Sequence, residues 1–138
     1  MIEVTDKPLD SESITAEVKA NNHGAVVTFL GTVRDYSMGK KVLHLQYEAY
    51  KEMAGKKLDE IAGEIGERWS LNCVSIYHRT GQMGVGEISL VVAVGSPHRA
   101  EAFAACLYAV DRIKQIVPIW KKETFVDGEC WVEGENPA

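Results

Sequence analysis

Residues 96–132, SPHRAEAFAACLYAVDRIKQIVPIWKKETFVDGECWV, hold a start signal, an amphipathic run, a stop and a hairpin. Ser96-Pro97 opens a helix, with Ser as N-cap and Pro at the first helical position. Apolar residues at helical spacing predict a helix to about Ile116, with Phe103, Leu107, Val110 and Ile113 inward. Pro118 stops it, because the residue before a proline is driven out of the α region. Ile119 to Val126 and Glu129 to Val132 then read as two strands around Asp127-Gly128, a pair suited to a type I′ turn. A long helix feeding an antiparallel hairpin points to an α+β domain.

Working outward, Glu87 to Gly95 and Cys73 to Thr80 read as strands joined by the Gly-rich GQMGVG. Lys51 to Trp69 is an amphipathic helix, with Ala54, Leu58, Ile61, Ala62, Ile65 and Trp69 at helical spacing. Val42 to Tyr50 alternates, placing Leu43, Leu45, Tyr47 and Ala49 on one face. Gly24 to Arg34 is rich in β-branched residues and reads as a buried strand. Asp10 or Ser11 caps a helix through Asn21 with Ile14 and Val18 inward, and Ile2 to Thr5 reads as a short edge strand. The sum is about three helices and six or seven strands in a mostly antiparallel sheet. One domain over residues 1–138 is expected.

Composition narrows function. The chain has 138 residues, 46% of them hydrophobic and 25% charged, with a net charge of -5. The acidic balance speaks against a general nucleic-acid binder. No stretch approaches the ~20 apolar residues of a membrane span, and the start lacks the pattern of a signal peptide. Cys73, Cys106 and Cys130 form no C-x-x-C pair, which fits a reducing cytoplasm and structural roles rather than a zinc site.

Three groups of residues carry possible chemistry. His98 and Arg99 stand in the first turn of the helix, where cations oppose the dipole and a bound phosphate or carboxylate would compensate; the plainer reading turns Arg99 into water and makes His98 an ordinary capping-region residue. Lys114 stands at the other end of that helix, where a cation suits the dipole. Lys121 and Lys122 follow in a strand, so at most one faces a given pocket. Arg34 ends an apolar strand beside Asp35, either as a phosphate ligand or as an ion-pair partner. Tyr47, Glu48 and Tyr50 read as pocket-lining or, more simply, as core. His98 and Lys114 lie sixteen residues apart, or ~24 Å along a helix, too far for one small ligand. If both serve one substrate, they come from two copies of the chain.

These residues sit in a set of ordered motifs: F-x-G-x-V-R (Phe29 to Arg34), L-x-Y-E-A-Y (Leu45 to Tyr50), R-W (Arg68-Trp69), H-R-x-G (His78 to Gly81), G-E (Gly86-Glu87), S-x-H-R-x-x-A-F (Ser96 to Phe103) and K-x-x-x-P-x-W-K-[KR]-E (Lys114 to Glu123). Together they resemble the large, catalytic subunit family of molybdopterin synthase. The resemblance implies an α/β hammerhead-type domain with an additional antiparallel β subdomain. It implies a cytoplasmic sulfurtransferase that converts cyclic pyranopterin monophosphate to molybdopterin, without a cofactor of its own. The implied partners are a second copy of the chain and a small ubiquitin-like sulfur carrier with a C-terminal Gly-Gly thiocarboxylate, giving a heterotetramer. The family's functional residues fall on Arg34, His98, Arg99, Lys114 and Lys121. Some members also carry a basic residue near the C-terminus; here Glu133 and Glu135 occupy that stretch. The competing reading is a non-catalytic dimeric module that binds a phosphorylated ligand or a ubiquitin-like protein.

Overall fold

The computed structural model describes residues 1–37 and 39–125 in full, and 128–133 as backbone strand. Within them the chain runs β1 (Ile2–Thr5), α1 (Ser11–Ala16), β2 (Ala25–Thr32), β3 (Tyr36–Ser37), β4 (Lys40–Ala49) and α2 (Lys51–Trp69). It continues through β5 (Val74–Arg79), β6 (Gly81–Gly84), β7 (Ile88–Ser96), α3 (Arg99–Ile116), β8 (Ile119–Phe125) and β9 (Gly128–Glu133). Helix and sheet are mixed, as expected for an α+β chain.

The first sheet has the order β1-β5-β7-β2. Only β1 and β5 run parallel; β2 and β5 both pair antiparallel with β7. β7 is buried along almost its whole length. Its Leu90, Val92 and Val94 pack with residues of α2 and α3, while Val91 and Ala93 pack with Ile14 and Val18 from the α1 side. That is the period-two alternation of a strand covered on both faces. The second sheet has the order β3-β4-β8-β9, with β6 also paired to β4. Val42, Leu45, Tyr47, Met83, Ile119 and Phe125 from this sheet join the same core cluster as α2 and α3. The Tyr47 ring meets His78 of β5 edge-on at 5.1 Å, tying the two sheets together.

Several sequence expectations change. The first helix covers only Ser11–Ala16, capped by the Asp10 carboxylate on the Ser13 N–H, rather than reaching Asn21. β2 is an edge strand, not a buried one, and Val26, Phe29 and Leu30 are exposed on it. GQMGVG is not only a turn, because Gly81–Gly84 forms β6 against β4. In β4 the register against β8 shifts between Val42 and His44. Val42 and Leu45 are therefore both buried while Leu43 is exposed, against its expected place on the inner face. A bulge of this kind breaks strict alternation. Ser96 ends β7, and the N-cap of α3 is His98. Asp127, half of the expected turn, lies outside the described residues, but β8 and β9 do pair as a hairpin.

The largest correction concerns α3. Its buried face is Ala102, Ala105, Cys106, Ala109 and Ile113. Phe103 and Leu107 point outward, 62% and 64% exposed. Small residues let the helix lie close on β7 and β2, and the large apolar ones have no cover among the described residues.

Candidate active site

Arg34 is placed by a backbone clamp. Its neighbour Val33 donates its N–H to the Glu87 carbonyl at 3.0 Å and accepts from the Gly86 N–H at 2.8 Å. Gly86 makes this turn with φ +88°, a conformation that costs glycine little. The Glu87 carboxylate holds the turn by accepting from the Gly84 N–H and pairing with Arg79. Those contacts lower its pKa, the Gly84 bond foremost. The chain then folds back through β3, which pairs Tyr36 and Ser37 with Lys41 and Lys40. Arg34 is left exposed at the rim of a pocket.

That pocket has a volume of about 260 Å³. β8 supplies its charged wall. Ile119, Lys121, Glu123 and Phe125 share the buried face of β8, while Trp120 is exposed and Lys122 and Thr124 are intermediate. Of the two adjacent lysines, Lys121 is the one turned in. It is only 5% exposed and lines the pocket opposite Tyr47 of β4. A buried ammonium is costly unless anions or polar groups surround it, so its placement here is a specific feature of the fold.

The other candidates lie apart. Lys114 is exposed in the last turn of α3 and lines a separate groove of about 360 Å³ formed with Val117, Pro118, Ile119 and Trp120. His98 and Arg99 are exposed at the opposite end of α3, and His98 caps the helix without a side-chain hydrogen bond. The His98 N–H donates to Ser96 Oγ at 3.3 Å, and the Pro97 carbonyl accepts from the Gly24 N–H at 3.2 Å. A Cβ on Gly24 would stand 2.7 Å from that carbonyl, so glycine is required for this close approach. One protomer thus brings Arg34 and Lys121 to one pocket, while Lys114 lines a separate groove at the C-terminal end of α3 and His98 and Arg99 stand at its N-terminal end.

Sequence reasoning gave no site role to several pocket residues, among them Tyr36, Ser37 and Glu123. Glu123 was visible only as the last letter of a motif, and strand alternation from Lys121 would have placed it on the same face. Glu48 and Tyr50 do not line this pocket, while Tyr47 does. Of the cysteines, Cys106 is buried, with a thiol pushed up to about 11 by burial. No group of three His, Cys, Asp or Glu is arranged to hold a metal among the described residues. None of their helices is long and apolar enough to cross a membrane.

Comparison with known proteins identifies the family. The profile of the MoaE protein family matches residues 4–116. The molybdopterin synthase catalytic subunit of Bacillus subtilis (strain 168) is 48% identical over 130 residues, covering 94% of this chain and 83% of the relative. The crystal structure of molybdopterin synthase from Staphylococcus aureus superposes with a TM-score of 0.90 at 45% identity, over 94% of this chain and 95% of that one. A complex of subunits 1 and 2 of the molybdopterin-converting factor from Helicobacter pylori shares the fold, with a TM-score of 0.78 at 18% identity. The chain belongs to the MoaE family, the catalytic subunits of molybdopterin synthase.

Proposed function

We propose that this chain transfers sulfur to cyclic pyranopterin monophosphate from the C-terminal thiocarboxylate of a small ubiquitin-like carrier, and that it does so as a cytoplasmic homodimer. The observation that carries the reading is the burial of Lys121 in a pocket rimmed by Arg34. The sulfur nucleophile arrives with the carrier, so the chain needs no reactive cysteine. It needs cations that gather a phosphate and an anionic peptide terminus and that stabilise charge as the thiocarboxylate attacks. In this reading Lys121 stabilises that charge, Lys114 assists proton transfer, and Arg34, His98 and Arg99 hold the phosphate. The Helicobacter pylori structure, alike in fold, is a two-subunit complex, which fits a carrier docked on this chain.

A second copy is supported by α3. Its exposed face carries Ala100, Phe103, Ala104 and Leu107, a continuous apolar stripe at helical spacing. The stripe runs between His98-Arg99 at one end and Lys114 at the other. Two such helices packed antiparallel about a two-fold axis would bury it and bring Lys114 of each copy near His98 and Arg99 of its mate. The distance that separates the cations in one chain then becomes the means of joining them.

The test is turnover. The purified chain is mixed with thiocarboxylated carrier and cyclic pyranopterin monophosphate, and dithiolene product is measured. Product that disappears in Lys114→Ala supports the assignment. Full activity in that variant removes Lys114 from the mechanism, and a stable carrier complex without product leaves a binding module.

A further inference from the structure

The pocket beside Lys121 contains two buried polar atoms that the sulfur-transfer chemistry does not use. Glu123 is 1% exposed, and its Oε1 finds no hydrogen-bond donor among the described residues. Ser37 is 5% exposed, and its Oγ is likewise without a partner among them. Both line this one pocket. A carboxylate oxygen shut away from water with no donor is destabilising, and a chain that retains it gains when a ligand brings the donor. Aromatic side chains of Phe29, Tyr36 and Tyr47 line the same space, which suits a flat ring.

We infer that Glu123 and Ser37 form the subsite for the pterin head of the substrate, with Glu123 the residue that selects a 2-amino pterin. The inference rests on the pterin substrate proposed above. The amino group and the adjacent ring N–H of a pterin present two parallel donors, and a carboxylate answers them with two acceptors. The neighbouring ring carbonyl accepts from the Ser37 hydroxyl. Lys121 and Glu123 stand on one face of β8 two residues apart, roughly 7 Å along a strand, about the length of a fused two-ring heterocycle. The substrate therefore lies along β8, with its ring edge at Glu123 and its reacting side chain at Lys121. Its phosphate extends toward the cations. The carrier terminus is an anion, so Glu123 repels it, while Lys121 and Arg34 attract it. Peptide N–H groups of the carrier tail are thereby the poorer match to the Glu123 carboxylate.

The test is a ratio of affinities. Hydroxymethylpterin phosphate and hydroxymethyllumazine phosphate differ in bearing an amino or an oxo group at the edge that Glu123 would read. Both are titrated against the wild-type protein, Glu123→Gln and Ser37→Ala, with carrier affinity measured in parallel. The wild type should favour the pterin by roughly tenfold or more. Glu123→Gln, nearly isosteric, should reduce that preference to about threefold or less. Ser37→Ala should weaken both compounds alike, because the ring carbonyl is common to them, and keep the ratio. A wild type without preference, or a Glu123→Gln protein with the full preference, overturns the inference. So does a Glu123→Gln protein that loses carrier affinity and keeps the ratio. Failure of the synthase reading would show separately, as absence of dithiolene product in the wild type.

Discussion

Lys121 shows how a strand decides between two identical neighbours. Lys121 and Lys122 carry the same charge, but alternation along β8 sends the first into the core-facing pocket and leaves the second half-exposed. The sequence limited the choice to one of the pair; the burial of Ile119 and Phe125 on the same face settles which. Lys121→Ala should lower turnover by about a hundredfold or more, as loss of a preorganised charge-stabilising group does. The circular dichroism spectrum should remain unchanged; turnover within a few-fold of wild type would remove Lys121 from the reaction. Glu123 was harder to see, because a glutamate at the end of a motif carries no sign of being buried until its strand is paired.

At the scale of elements, α2 was legible almost to the residue, since Leu58, Ile61 and Ile65 fall on one buried face and, of its large apolar residues, Met53 is the exposed exception. α3 was not. It has two apolar faces, and size pointed to the wrong one: Phe103 and Leu107 are the larger residues, yet alanines and Cys106 meet the sheet. The bulge in β4 and the edge position of β2 were hidden for a related reason, since both depend on which strands become neighbours. The exposed stripe on α3 leads to a specific expectation. Leu107→Glu should shift the protein toward monomer in sedimentation and lower turnover, while leaving the monomer fold intact because Leu107 makes no part of the buried core. An unchanged dimer would place the interface elsewhere.

The whole molecule depends on α2 and α3 staying together. Glu64 of α2 accepts from Tyr108 at 2.8 Å and from Arg112 Nε and Nη2 at 3.0 and 2.9 Å. Arg68 stacks on the Tyr108 ring and Trp69 meets it edge-on. The Arg112 and Tyr108 hydrogen bonds hold the Glu64 carboxyl at about 2, well below its ordinary 4.5. A depressed carboxylate contributes stability that is fully present above its unfolded pKa and is lost as pH falls through its folded one. Thermal stability should therefore fall between about pH 4.5 and pH 2, and Glu64→Gln should be less stable at neutral pH with a flatter acid limb. An acid limb of equal slope in that variant would assign the loss to other carboxylates. In the proposed mechanism these contacts also position the site, because α3 begins at His98-Arg99 and carries Lys114 in its last turn.

The composite site is the central claim, and mixing two inactive dimers tests it most directly. Lys114→Ala and Arg99→Ala proteins, differently tagged, are allowed to exchange subunits, and the mixed dimer is isolated and assayed with thiocarboxylated carrier. If Lys114 of one copy works with Arg99 of its mate, each mixed dimer has one intact site and one doubly impaired site. The isolated mixed dimer should then show roughly half of wild-type turnover, and an unfractionated exchanged sample about a quarter, since about half of its dimers are mixed. A mixed dimer no more active than its parents would mean that each site is built from a single chain.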